Sequence, residues 1–215
     1  DFTIRALLTE ITYSPASAQP FGNNITLDVY YNVSDPNSIY DGMGLNVSTW
    51  TLSNSSGQWI SGVHYIINGN NGIYTLTIIN TVYNTIGTFY FDIEAQPENT
   101  HYSSATLSSA SFTIRALITS ITWIPPDTQP WGNSVNITVY YNVSDPASVL
   151  YHGMGLNVSS WELSNATNSW IEGVEYTVVG QNGVYIFTID NETVANKVGS
   201  YTFDIFAHST SIIYN

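Results

Sequence analysis

Nine asparagines stand in Asn-x-Ser/Thr triplets: Asn24, Asn32, Asn46, Asn54, Asn136, Asn142, Asn157, Asn165 and Asn191. The chemistry such a triplet offers is acceptance of an N-linked glycan on the side-chain amide. A chain this rich in Asn, Ser and Thr would carry about five by chance, so the excess is roughly two-fold. Asn32 and Asn142, Asn46 and Asn157, and Asn54 and Asn165 fall at equivalent places in two halves of the chain. Glycosylation at several of these sites is expected if the protein is exported, with no other cofactor. Such glycans would shield strand edges and solubilise a surface with few charges.

The remaining polar groups make weaker cases. Asp35 and Asp145 sit in matching Ser-Asp-Pro turns and are the only candidate calcium ligands worth naming. A hard cation needs several oxygens at one place, yet Asp41 becomes His152 in the second half and no Asp-x-Asp-x-Asp run occurs. The favoured reading is therefore no metal, with each aspartate capping its own turn. Asp92 and Asp204 recur inside a strand, as do Arg5 and Arg115. Paired across a sheet they would contribute ~0.2–1 kcal/mol if exposed, and Arg5 is expected to meet Asp204 of a neighbouring copy. The histidines, His64, His101, His152 and His208, do not recur at equivalent positions. Neither a Gly-x-Ser-x-Gly elbow nor a His-Glu-x-x-His pair is present, so no catalytic residue is assigned and the chain is not expected to be an enzyme. Trp59 with Trp170, and Phe21 with Trp131, recur near strand ends. They either stack on sugars or cover the ends of the fold, and the second is preferred.

Composition narrows the partners. The 215 residues hold 16 acids against 3 bases, a net charge of −13, while only 9% are charged at all. Nucleic acid is excluded by the lack of a basic footprint, and anionic lipid is disfavoured for the same reason. There is no cysteine, hence no disulfide framework. No apolar run approaches the ~20 residues that a membrane span needs, and no signal peptide is recognisable. The chain opens directly on a strand pattern, which reads as a mature product or a fragment. A surface built on Asn, Ser, Thr and Tyr fits an extracellular or cell-surface location.

The elements that must position these residues form a long repeat. Phe2-Thr3-Ile4-Arg5-Ala6-Leu7 returns as Phe112-Thr113-Ile114-Arg115-Ala116-Leu117. Tyr30-Tyr31-Asn32-Val33-Ser34-Asp35-Pro36 returns as Tyr140-Tyr141-Asn142-Val143-Ser144-Asp145-Pro146, and Gly42-Met43-Gly44-Leu45-Asn46 as Gly153-Met154-Gly155-Leu156-Asn157. A period of about 110 residues exceeds any solenoid unit, so each copy is a domain. Apolar residues alternate with polar ones: Ile25, Leu27, Val29 and Tyr31 in one run, Phe89, Phe91 and Ile93 in another. Asn71-Gly72 and Asn182-Gly183 punctuate apolar runs as hairpin turns do. Residues 191–197 read as a single turn between strands. About seven short strands per copy predict an all-β fold of two antiparallel sandwiches.

Trp50 and Trp161, mid-strand in that pattern, resemble the core tryptophan of immunoglobulin-like domains. With no cysteine pair, the resemblance is to the disulfide-free Ig-like and fibronectin-like repeats of prokaryotic surface proteins. The Tyr-Tyr-Asn-Val-Ser-Asp-Pro and Gly-Met-Gly-Leu-Asn blocks are similar to repeats of large archaeal surface proteins. The resemblance spans the whole chain and implies a structural role.

The frame of the repeat is offset. Residues 1–7 read as a spare strand, residues 8–117 as the first Ig-like domain, and residues 118–215 as a second lacking its last strand. The spare strand, Phe2, Thr3, Ile4, Arg5, Ala6 and Leu7, is the expected donor. Tyr201, Phe203, Asp204 and Ile205 form the expected acceptor, in a strand read over residues 199–207. An unfilled groove exposes apolar core and unpaired backbone. It is filled either by another copy, giving a linear head-to-tail polymer, or by continuation of a longer tandem array. A third framing, with each copy complete from Phe-Thr-Ile-Arg onward, is less favoured. Residues 112–123 hold no glycine or proline, so a fairly stiff rod is expected. The expected function is an extracellular filament, stalk or surface-layer element made of copies of itself. The alternative is an adhesin or glycan-binding module using the loops around Trp59 and Trp170.

Overall fold

β-Branched and aromatic residues at every second position become strands with one buried face, as in Ile25–Val33, where burial alternates along all nine residues. The computed structural model describes residues 1–194 and 198–215, the side chain of Asn191 excepted. It divides into two units, Asp1–Arg115 and Ala116–Asn215. The division falls two residues before Leu117 because Leu117 is fully buried in the second unit and its amide donates to the Ile213 carbonyl at 2.8 Å. Residues 1–7 fall within the first unit.

In the first unit the strands are β1 (Thr9–Ser14), β2 (Gln19–Pro20), β3 (Ile25–Val33), β4 (Val47–Asn54), β5 (Gly57–Gln58), β6 (Tyr65–Asn70), β7 (Ile73–Ile78), β8 (Gly87–Pro97) and β9 (Ala105–Arg115). One sheet runs β1-β3-β7-β6 and the other β2-β9-β8-β4-β5. Every pairing is antiparallel except β2 with β9, which is parallel. Two sheets in this order, with a short first-strand extension turned onto the last strand, make an Ig-like sandwich. Leu27, Leu52, Leu76, Ile93 and Ile114 meet at its centre, each at 1% exposure or less. Each such side chain contributes ~1.5–3 kcal/mol of burial.

The second unit repeats the plan with β10 (Thr119–Ile124), β11 (Val135–Val143), β12 (Val158–Ser164), β13 (Ser169–Trp170), β14 (Tyr176–Gln181), β15 (Val184–Ile189), one helical turn α1 (Asn191–Val194), and β16 (Asp204–Ser209). Its sheets run β10-β11-β15-β14 and β13-β12-β16. The turn expected over residues 191–197 is α1 in its first four residues; residues 195–197, with Lys197, lie outside the described ones.

The repeated motifs have physical reasons. Asn71 and Gly72 take φ of 50° and 84°, the left-handed pair of a type I′ hairpin turn. Gly44 lies against that turn so closely that a Cβ built on Gly72 would meet the Gly44 Cα at 2.4 Å. Gly155 and Gly183 repeat the contact. The Tyr74 hydroxyl donates to the Leu45 carbonyl at 2.9 Å and accepts the Val47 amide at 3.1 Å, and Tyr185 does the same with Leu156 and Val158. Buried tyrosines thus tie loops to the core in both units.

Candidate functional site

The last strand of the first unit shows what an occupied slot looks like. β9 lies between β8 and β2, pairing Ile114 with Gly87, Thr113 with Thr88 and Phe112 with Phe89 on one side, and Ile114 with Gln19 and Arg115 with Pro20 on the other. Phe112 and Ile114 point inward and are 3% and 1% exposed. The Phe112 ring stacks on Phe89 at 5.4 Å and tilts against Phe91 at 5.9 Å. On the outer face, Thr88 and Thr113 bring their Oγ1 atoms to 3.2 Å. The Phe21 amide donates to the Arg115 carbonyl at 3.1 Å, and the Ser111 amide to the Tyr13 hydroxyl at 3.0 Å.

In the second unit, among the described residues, β16 has β12 as its one strand neighbour. The inward positions that match Phe91, Ile93 and Ala95 are Phe203, Ile205 and Ala207. The first three are at 1% exposure or less, whereas the second three are only half-buried. Residues 199–203 hold no strand, although their counterparts open β8. Gln129 and Pro130, counterparts of β2, hold none either, and Trp131 is 58% exposed. Two cavities lie along this edge. One of about 400 Å3 is lined by Gln129, Trp131, Ile137, Trp170, Gly199 and Phe203, among others. One of about 330 Å3 lies between Ile121 and Trp123 and residues 201–205. The Trp123 and Trp170 rings lean toward Phe203, with centroids 6.4 and 5.5 Å away.

Of the expected acceptor residues, Phe203 and Ile205 face the groove half-buried, Tyr201 lines both cavities, and Asp204 is exposed and begins β16. The expected donor residues Phe2, Thr3, Ile4 and Ala6 are exposed and form no strand, with Phe2 at 87% and Ile4 at 85%. Leu7 is held: its amide donates to the His101 carbonyl at 2.8 Å, and its carbonyl accepts the Ser103 amide at 2.9 Å. Arg5 is held too. Its Nη1 donates to Asp35 Oδ2 at 2.6 Å, and the Asp35 side chain is 2% exposed. That hydrogen bond is the largest influence holding the Asp35 carboxyl below the usual carboxylate range; burial, the next largest, pushes the other way. Within the chain Arg5 is engaged by Asp35; the expected pairing with Asp204 is one between copies. Asp92, which stands where Asp204 does, accepts the Ser109 amide at 2.8 Å where β9 bulges against β8. Asp145, matching Asp35, is buried and accepts the Ile118 and Ala147 amides at 3.2 and 3.1 Å. Among the described residues no three His, Asp or Glu side chains gather to hold a metal ion. None of their helices is long and apolar enough to cross a membrane.

The glycan-acceptor candidates divide by setting. Asn24, Asn46, Asn136 and Asn157 are exposed, whereas Asn32, Asn142, Asn54 and Asn165 are half-buried. Asn46 Oδ1 accepts the Asn71 amide and Asn157 Oδ1 the Asn182 amide, both at 2.8 Å, bracing the hairpin turns. The Asn191 side chain lies outside the described residues. Trp59 is 7% exposed and stacks on Phe91 at 5.4 Å, so it presents no face to a sugar.

Gln129, Pro130, Trp131, Ile137 and Trp123 were not among the expected acceptor residues. The signal for the first three was present, since Gln19-Pro20-Phe21 returns as Gln129-Pro130-Trp131. A two-residue strand is too short to show periodicity.

No protein-family model matches the chain and no curated protein does. Solved structures that resemble it include tandem Ig domains of titin. The titin domains Z1Z2 in complex with telethonin match at 15% identity with a TM-score of 0.47, covering 98% of this chain and 92% of that one. A chimeric titin Z1Z2 carrying an exogenous peptide from decorin matches at 13% identity and 0.34, covering 95% and 92%. A further titin Ig tandem matches at 11% and 0.30, covering 89% of each chain.

Proposed function

We propose that this chain is an extracellular structural protein of the archaeal cell-surface type, whose Ig-like units join head to tail into a filament, stalk or surface-layer element. The join is a β-strand of Phe-Thr-Ile-Arg pattern entering the second unit. It comes from another copy, or from continuation of the same plan along a longer tandem chain. The observation that carries this reading is the half-buried apolar edge at β16 and the residue before it: Phe203 and Ile205 stand open where Phe91 and Ile93 are sealed under β9. Open sheet edges are templates for pairing, and strand addition satisfies the backbone while pockets select side chains. The sparse charge, the recurring glycan-acceptor triplets and the strong acidity fit a glycosylated, soluble surface element.

Electron microscopy of the full chain beside a variant lacking residues 1–5 tests the reading. Linear assemblies from the full chain and none from the truncated one are expected. Dispersed two-unit particles from both would overturn joining between copies.

A further inference from the structure

The head-to-tail join, on which this inference rests, becomes specific once the two units are compared residue by residue. We propose that residues 2–5 of a second copy enter the second unit in one register. Phe2 lies opposite Tyr201, Thr3 opposite Ser200 and Ile4 opposite Gly199 on the antiparallel side. Ile4 lies beside Gln129 and Arg5 beside Pro130 on the parallel side.

The donor is spelled identically to the strand that fills the equivalent slot. Phe2-Thr3-Ile4-Arg5 repeats Phe112-Thr113-Ile114-Arg115, whose partners are Phe89, Thr88, Gly87, Gln19 and Pro20. The walls correspond as well. Gly199, Ser200 and Tyr201 stand for Gly87, Thr88 and Phe89, and Gln129, Pro130 and Trp131 for Gln19, Pro20 and Phe21. In this register the inward pair is Phe2 and Ile4, 87% and 85% exposed in the free donor. They enter the cavity of about 400 Å3 bounded by Trp131, Ile137, Trp170 and Phe203. The Arg5 carbonyl then accepts the Trp131 amide, as Arg115 accepts that of Phe21. Residues 199–203 and Gln129 with Pro130, which hold no strand now, become strands on either side of it.

Two further features fit this short donor. Tyr13, whose hydroxyl accepts the Ser111 amide, is replaced by Trp123. Trp123 has no acceptor to offer and leans toward Phe203 over the second cavity. The matched half of the slot is thus the half that residues 2–5 spell. The donor is also anchored to its own unit just behind the inserted residues, by the Arg5–Asp35 pair and the Leu7 ladder bonds. An anchored strand loses less freedom on insertion. Arg5 therefore acts as a positioning residue for the join.

Thr88 and Thr113 show that side chains at the paired positions of Ser200 and Thr3 meet. The chain has no native cysteine, so Thr3→Cys with Ser200→Cys introduces the only thiols. Mild oxidation is expected to give a ladder of dimers, trimers and higher species on non-reducing gels. Thr3→Cys with Thr202→Cys, two residues along the same face, is expected to give none. A ladder from the Thr202 pair instead would overturn the register and leave the join standing. A monomer with an internal disulfide would overturn the second copy as donor. No ladder from either pair, with assemblies still seen by microscopy, would overturn insertion at this slot alone. No ladder and no assemblies would remove the proposed function with it.

Discussion

The Phe112 ring stacks on Phe89 with centroids 5.4 Å apart and planes 15° from parallel, and Phe112 belongs to the core of the first unit. Phe112→Ala should therefore lower the unfolding free energy of that unit by about 3–5 kcal/mol, the cost of emptying a buried aromatic site. Phe2→Ala changes the same residue in the same sequence context but at an exposed place. It should leave the unfolding of dilute protein within about 0.5 kcal/mol, while sharply weakening assembly. Denaturant unfolding monitored at several protein concentrations separates the two.

The Gly44–Gly72 contact predicts a backbone effect. Gly72 has φ of +84°, and its Cβ would fall 2.4 Å from the Gly44 Cα. Gly72→Ala should cost at least ~1–3 kcal/mol through the strained conformation alone, with overlap adding to it. Gly42→Ala, at φ +79° but with open space around it, should carry the conformational cost only. Comparison of the two midpoints isolates the contact.

Arg5 sets a pH signature. The Asp35 carboxyl is held below its ordinary value in the folded state, chiefly by the Arg5 hydrogen bond. Its contribution is then complete above the unfolded carboxylate value of about 3.9 and is lost as pH falls through the lowered folded-state value. Arg5 stays charged throughout that range, since its own pKa is raised. Asp35→Asn should melt below the wild type at pH 7, and the gap should narrow as pH drops beneath the carboxylate range. A gap independent of pH would show that the ion pair contributes nothing.

Burial predicts which triplets carry sugar. Expressed in a host that glycosylates asparagine, Asn46 and Asn157 should be occupied, being exposed and at the foot of a hairpin turn. Asn32 and Asn142 should not, because each lies half-buried with its Oδ1 close to the Gly72 or Gly183 backbone. Glycopeptide mapping reads this directly. Asn46→Ala should also cost ~1 kcal/mol by removing the bond to the Asn71 amide.

Much of this was legible without coordinates. Alternation over Ile25–Val33 and the left-handed pair Asn71-Gly72 are local signals, and their repetition made two sandwiches readable. The partner of Arg5 was not readable, because Asp35 is thirty positions away and reaches it only through the turn that follows β3. Asp92 looked like a partner for arginine, but its role depends on a bulge that places the Ser109 amide beside it. The parallel wall of the slot is hard to read from sequence because β2 is two residues long. Its only trace was the repeated Gln-Pro dipeptide.

The most direct test of the slot uses the Phe2→Asp/Ile4→Asp variant, whose own donor is disabled. Its amide exchange would be followed with and without an 11-residue peptide copying β9 (Ala105–Arg115). Exchange across residues 199–205 should slow saturably as peptide is added. A peptide with aspartate in place of the residues matching Phe112 and Ile114 should have no effect. Unchanged exchange in that stretch at high peptide concentration would contradict the account, because an edge that ignores the strand it is shaped for cannot be the joint.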